Sequence, residues 1–222
     1  MLNLKHILKG LTISLIGLSL VTLSSPTFAF ETEAMGNLTT VSNTKKLKTY
    51  LKEGANLSSY KSVTIEPVVA TFKEGWQKKY NQTHRELSRK IKDEDVLTLT
   101  GRIEKQFQIS FPDYLNQQAN LELVNTPNRN TLRLKPVITD LVINGPDIQG
   151  NTASVVMTRQ AGSATLTLEV YDASSNVLLA KLISKEETFD YHEMTRTNRV
   201  TNNSDFKRIY KRWANDLVKL MK

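Results

Sequence analysis

The sequence predicts a single α/β (α+β) domain, a mostly antiparallel or mixed sheet of about five to six strands with two helices packed on it. Three observations lead there. Apolar residues recur at spacings of three and four from Val96 to Tyr114 and again from Phe206 to Leu220. Ser163 to Tyr171 and Val177 to Ser184 alternate apolar and polar side chains around a short turn-forming segment. No repeat, heptad pattern or linker divides the remainder, which leaves one core.

Residues 1–29 have the three parts of a secretory signal: Lys5 and Lys9, an apolar run from Leu11 to Leu23, and small residues ending at Thr27-Phe28-Ala29. The run falls short of the roughly 20 residues that span a bilayer, so cleavage near Ala29 is favoured over a retained anchor. Removal takes away two Lys and no acid, so 30 basic and 22 acidic side chains become 28 and 22, and the formal charge falls from +8 to +6. Residues 30–59 are rich in Thr, Asn, Lys and Ser without an apolar period and read as a polar N-terminal tail. The folded domain is then 60–222.

Tyr60 to Phe72 alternates with β-branched residues and reads as a strand, with Pro67 marking an edge or bulge because it has no N–H for a ladder. Lys73 to Lys92 is a basic connection holding Trp76, Tyr80 and His84. Asp93-Glu94-Asp95 places acids where a helix N-terminus favours them, and Val96, Leu99, Ile103, Phe107, Phe111 and Tyr114 form its buried stripe. Pro112 is a point for a kink or a separate last turn. Leu121 to Val124 and Thr131 to Ile143 are short β-rich runs, and Asn144-Gly145-Pro146-Asp147 is a turn. Thr152 to Thr158, Ser163 to Tyr171 and Val177 to Ser184 follow as half-buried strands, the last two paired antiparallel across Asp172 to Asn176. Ser204 or Asp205 caps a closing helix of about 17 residues.

Composition narrows the chemistry. At 39% hydrophobic and 23% charged residues the chain has the make-up of a folded protein, which excludes disordered, collagen-like and polytopic membrane classes. The absence of Cys removes disulfides, thiolate catalysis, Cys-ligated zinc and iron–sulfur clusters. His84 and His192 are the histidines left after signal removal, and Asp190-Tyr191-His192-Glu193, flanked by Arg196, lacks the second His of a zincin. The serine-hydrolase elbow, the phosphate-cradling loop and the dinucleotide fingerprint are also missing. No cofactor is implied. Glu66, Asp140, Glu169 and Asp190 are the carboxylates that could pair for glycoside cleavage.

Several pieces, in order, resemble a family of uncharacterised proteobacterial proteins, many of lipoprotein type, grouped as "domain of unknown function" 3313. They are Tyr60-x-x-Val63-x-Ile65-x-Pro67-Val68, Leu132-Arg133-Leu134 with Thr139-Asp140-Leu141, Gly162-Ser163-Ala164 leading to Asp172-Ala173 and Leu179-Ala180, and Arg212-Trp213-Ala214 with Leu217. They cover about residues 57–220. The resemblance implies a secreted envelope domain with no assigned activity. A lipoprotein needs a Cys to carry its acyl chains, so this chain departs from those relatives and no stable membrane anchor is expected after cleavage. Locally, Gly162 is small where another element packs close, Asp172 suits a turn by bonding its own backbone, and Trp213 fills a helix–sheet seam.

The expected role is therefore a non-enzymatic, periplasmic or secreted envelope-associated accessory domain, with an envelope protein or acidic envelope polymer as partner. A cell-wall or polysaccharide hydrolase and an exported binder of nucleic acid or another acidic polymer are the alternatives. Export removes chromosomal DNA from reach. The residues assigned to an acidic partner are Lys78, Lys79, Arg85 and Arg89 after the first strand and Lys207, Arg208, Lys211 and Arg212 on the last helix, with Trp76 and Tyr80 as stacking platforms.

Overall fold

The alternating runs in the second half of the chain form the centre of one mixed sheet, and the other elements are added to it. The computed structural model describes residues 38–84, 90–148, 156–190, 192–193 and 195–222. In chain order these form β1 (Leu38–Asn43), β2 (Leu47–Lys52), a 3₁₀ turn (Leu57–Ser59), β3 (Ser62–Ile65), β4 (Val69–Phe72) and helix α1 (Trp76–Thr83). Then come α2 (Asp93–Ala119), β5 (Glu122–Leu123), β6 (Thr131–Ile143), β7 (Val156–Thr158), β8 (Gly162–Asp172), β9 (Leu178–Glu187), β10 (Thr195–Thr197) and α3 (Arg199–Leu220). The signal segment 1–29, Thr152 to Val155, Arg85 and Arg89 lie outside the described residues.

The main sheet has eight strands in the order β1-β2-β9-β8-β6-β3-β5, with β4 also beside β6. The β6–β8–β9 centre is antiparallel, whereas β3 and β4 run parallel to β6, so the sheet is mixed. A separate two-stranded sheet pairs β7 with β10. Leu134, Ile138, Leu166, Leu168, Ala180 and Leu182 alternate onto one face and share a core with Phe107, Phe111, Tyr210 and Trp213 of the two long helices. Phe107 stacks on Phe111 at 4.6 Å and meets the Tyr210 ring edge-on at 5.5 Å, which locks α2 to α3.

Three segments differ from the sequence reading. Residues 38–52, expected to be tail, are two strands that extend the sheet beyond β9. Ladder bonds use backbone groups, so an edge ribbon needs little apolar alternation; Thr49 is its one buried side chain. Within Lys73 to Lys92, expected to be a connection, Trp76, Tyr80 and His84 fall four residues apart along α1 and its C-cap. The closing helix begins at Arg199 and has 22 residues; Asn198 is its cap, accepting from the N–H groups of Val200 and Thr201, while Asp205 lies buried inside it and binds Arg208. Pro112 is buried within α2, which runs on through it to Ala119.

Candidate functional site

The residues of the family pattern are placed by the fold. Exposed Pro67 separates β3 from β4, and beyond it the N–H groups of Val68 and Ala70 donate to Gln108 and Glu104 of α2, at 3.3 and 2.9 Å. Asp140 has a left-handed backbone, φ 51°, at the point where β6 bulges between Thr139 and Val142. Gly162 has no room for a side chain: a Cβ there would lie 1.9 Å from the Val142 carbonyl oxygen and 3.2 Å from Cζ of Phe206. Asp172 accepts the Ser174 and Ser175 N–H groups through Oδ1 and the Tyr60 hydroxyl through Oδ2 at 2.6 Å. These bonds hold its carboxyl well below the usual range, the Ser174 hydroxyl contributing most. Trp213 is buried in the helix–sheet seam, and its Nε1 donates to the Ser184 carbonyl at 3.1 Å.

The face of the sheet opposite the long helices carries charge. Arg133 binds the Glu66 carboxylate and the Asn176 side chain, with its guanidinium 4.3 Å above the Tyr171 ring. The Tyr171 hydroxyl donates to Glu169 at 2.9 Å, and Glu169 also meets Lys135 and Lys181 at 3.7 and 3.8 Å. Burial first, then the Glu169 bond, pushes the Tyr171 hydroxyl up to about 12. Glu66 and Glu169, two of the carboxylates considered for hydrolysis, are thus each matched to cations. Asp140 is exposed at the bulge, and Asp190 accepts the N–H of exposed His192. Among the described residues no three His, Cys, Asp or Glu side chains gather where they could hold a metal.

A cleft of about 430 Å³ opens beside α1, lined by Lys73, Glu74, Lys79, Tyr80 and His84 on one side and by Ile143 and Asn144 on the other. Aromatic side chains build its wall: Trp76, which stacks on Phe72 at 4.0 Å, and Tyr80, which stacks on His84 at 4.0 Å. Trp76 anchors α1 to the end of β6 by donating Nε1 to the Ile143 carbonyl at 3.2 Å. His84 Nδ1 lies 3.0 Å from the Tyr80 carbonyl, which can only accept, so Nδ1 carries a proton and Nε2 is left for another partner. Trp76 and Tyr80 are buried, so they are wall rather than the free platforms expected. Lys73 and Lys79 are exposed on the rim and make no ion pair among the described residues.

Residues 36–217 match the profile of the family described as "Protein of unknown function (DUF3313)". The chain belongs to that family. No curated protein matches it in sequence. Solved structures similar to this DUF3313 chain include the PelC dodecamer from Paraburkholderia phytofirmans, 8% identical, with 74% of this chain and 94% of that one covered at a TM-score of 0.36. Others are the hypothetical protein CT253 from Chlamydia trachomatis, at 14%, 71%, 93% and 0.35 on the same measures, and protein XCC0632 from Xanthomonas campestris, at 10%, 76%, 86% and 0.34.

The DUF3313 fold divides the cations chosen from the sequence. Lys78 and Lys79 are exposed on α1, with Lys79 at the cleft. On α3, Arg208 binds Asp205, and Arg212 binds Glu186 and the Glu187 carbonyl, so both arginines already serve the fold. Lys207 and Lys211 are exposed. Lys207 faces a groove shared with Arg102 and Lys105 of α2, which the sequence reading did not single out. Their positions beside the buried stripe of α2 were visible in the sequence, but not that α3 would close a groove over them.

Proposed function

We propose that this protein is an exported, envelope-associated accessory domain that acts by binding an acidic envelope partner and not by catalysis. The observation that carries the reading is the α1 cleft: a concavity walled by Trp76, Tyr80 and His84, with Lys73 and Lys79 on its rim beside Glu74 and in no ion pair among the described residues. Such a surface favours a flat or apolar body bearing negative charge. The signal-like segment 1–29 and the positive charge that remains after its removal support placement outside the cytoplasm.

The test combines compartment and binding. N-terminal sequencing of the protein from a bacterial periplasmic fraction is expected to begin at Phe30. The purified protein should bind isolated envelope polymer in a salt-sensitive manner, and replacing Lys73 and Lys79 together by Ala should weaken that binding several-fold. An intact N-terminus in the cytoplasm, or binding indifferent to both lysines, overturns the reading.

A further inference from the structure

The side of the sheet turned away from the long helices is unevenly matched in charge. The register sets its side chains in rows across the strands: Val137, Thr167, Ile183 and Lys48 form one, and Thr139, Thr165 and Lys185 the next. Lys185 also donates its N–H to the Lys46 carbonyl at 2.7 Å, which brings the β1–β2 turn, with Lys45 and Lys46, to the end of that row. Further along the same strands the charges are paired: Arg133 binds Glu66, and Glu169 sits between Lys135 and Lys181. Near the turn they are not. Lys45, Lys46, Lys48 and Lys185 are exposed and make no ion pair among the described residues. Of the acids at that end of β9, Glu186 is taken by Arg212 on the helix side, and Glu187 is exposed with its carboxylate 3.5 Å from Gln160 Nε2. Like charges gathered on neighbouring strands repel, so an anion bound there would relieve a cost to the free protein.

The groups between the lysines supply a second observation. Thr139, Thr165 and Thr167 are half-buried on this side, and their hydroxyls bond no other protein group among the described residues. Each can both donate and accept. Neither these hydroxyls nor the lysines are needed to hold the strands together, because the ladder bonds use backbone groups alone. Free hydroxyls beside free ammonium groups complement a ligand that carries hydroxyls and anions together along its length; a bare polyanion would leave the hydroxyls unused.

We propose that this end of the open sheet face binds an acidic polysaccharide. Its carboxylates meet Lys48, Lys185 and the lysines of the β1–β2 turn, and its hydroxyls exchange hydrogen bonds with Thr165 and Thr167. The inference rests on the reading of an acidic envelope polymer as partner and names its chemistry, but it uses a surface other than the α1 cleft, so the two can fail separately.

The test is calorimetric and NMR titration of the purified protein with a polygalacturonate oligomer, with polyglutamate as a polyanion lacking sugar hydroxyls, and with vesicles of equal parts phosphatidylcholine and phosphatidylglycerol. Saturable binding of the oligomer, tighter than that of polyglutamate and with the Thr165 and Thr167 backbone amides shifting, supports the proposal. Replacing Lys48 and Lys185 together by Gln, both at exposed positions, should weaken that binding about tenfold. Thr167→Val, which keeps the shape and removes the hydroxyl, should weaken it about threefold, with thermal midpoints recorded to show that the variants fold. In the protein carrying Lys73→Ala and Lys79→Ala, binding of the oligomer should still depend on Lys48 and Lys185; loss of binding there, with no effect of the open-face pair, overturns this inference and spares the α1 cleft. No saturable binding of the oligomer, binding no tighter than that of polyglutamate, binding indifferent to the Lys48 and Lys185 pair or to Thr167→Val, or tighter binding to the vesicles than to the oligomer overturns it as well.

Discussion

Along β8, neighbouring residues live in different surroundings. Leu166, Leu168 and Val170 are buried beneath α2 and α3, while Thr165, Thr167, Glu169 and Tyr171 project from the opposite side and remain half-buried. The register carries this contrast across the sheet: Leu168 is opposite Leu182 and Pro136, and Glu169 is opposite Lys181 and Lys135. On the helix side the stabilisation comes from apolar area withdrawn from water, about 1.5–3 kcal/mol for each large side chain. On the open side it comes from ion pairs and polar contacts, worth about 0–1 kcal/mol each where water reaches them, as at Lys135, while Lys181 is itself buried beside Glu169. The same backbone is therefore held by apolar burial on one side and by charge pairing on the other, with the Lys181–Glu169 pair the most enclosed part of that second side.

The sharpest way to break the comparison is to truncate the helix side. Trp213→Ala removes the largest fully buried side chain together with the bond to the Ser184 carbonyl. It should cost about 3–5 kcal/mol in urea denaturation. A cost below about 1 kcal/mol would mean that the seam does not hold α3 to the sheet. Next comes an addition instead of a removal. Gly162→Ala drives a methyl group against the backbone oxygen of Val142, which cannot move aside as a flexible side chain would. The expected loss is about 1–3 kcal/mol, with a drop in thermal midpoint that Gly162→Ser should match or exceed.

What the sequence disclosed follows the same division. Strong alternation in β8 and β9, and the stripe of Leu99, Ile103, Phe107 and Phe111, were legible because burial on one side imposes a period. β1 and β2 were not, because an edge ribbon takes its order from ladder bonds, β2 to β9, while many of its side chains, Thr39 and Lys48 among them, stay in water. The start of α3 was misplaced for a related reason: Asn198, Thr201 and Asn202 form a polar first turn, so the apolar period starts later than the helix does. At the candidate sites, the basic residue types were legible but most of their partners were not. The i,i+3 spacing of Asp205 and Arg208 does point to their pairing, but nothing in the sequence shows that Glu186 occupies Arg212, or that Lys207 shares a groove with Lys105 of a helix some hundred positions earlier.

The smallest expected effect belongs to the open face, and an alkaline titration reads it. The Tyr171 hydroxyl is raised to about 12 in the folded protein, by burial first and by its bond to Glu169 second, against about 10 when unfolded. A raised value means that the folded state holds this proton after the unfolded chain has lost it. The contribution is fully present below pH 10 and is lost as pH rises through 12. Tyr171→Phe keeps the ring beneath Arg133 and leaves Glu169 to Lys135 and Lys181, so stability at pH 7 should change by less than about 1 kcal/mol. Between pH 10 and 12 the variant should lose stability less steeply than the parent. Tyr60, raised to about 12 by burial and by Asp172, and Tyr210, raised by its burial in the core, are further alkaline-sensitive groups that both proteins keep, so the slope should flatten without vanishing. If Tyr171→Phe instead cost as much at pH 7 as Trp213→Ala, the open face would be a second core, and the division drawn from β8 would fail.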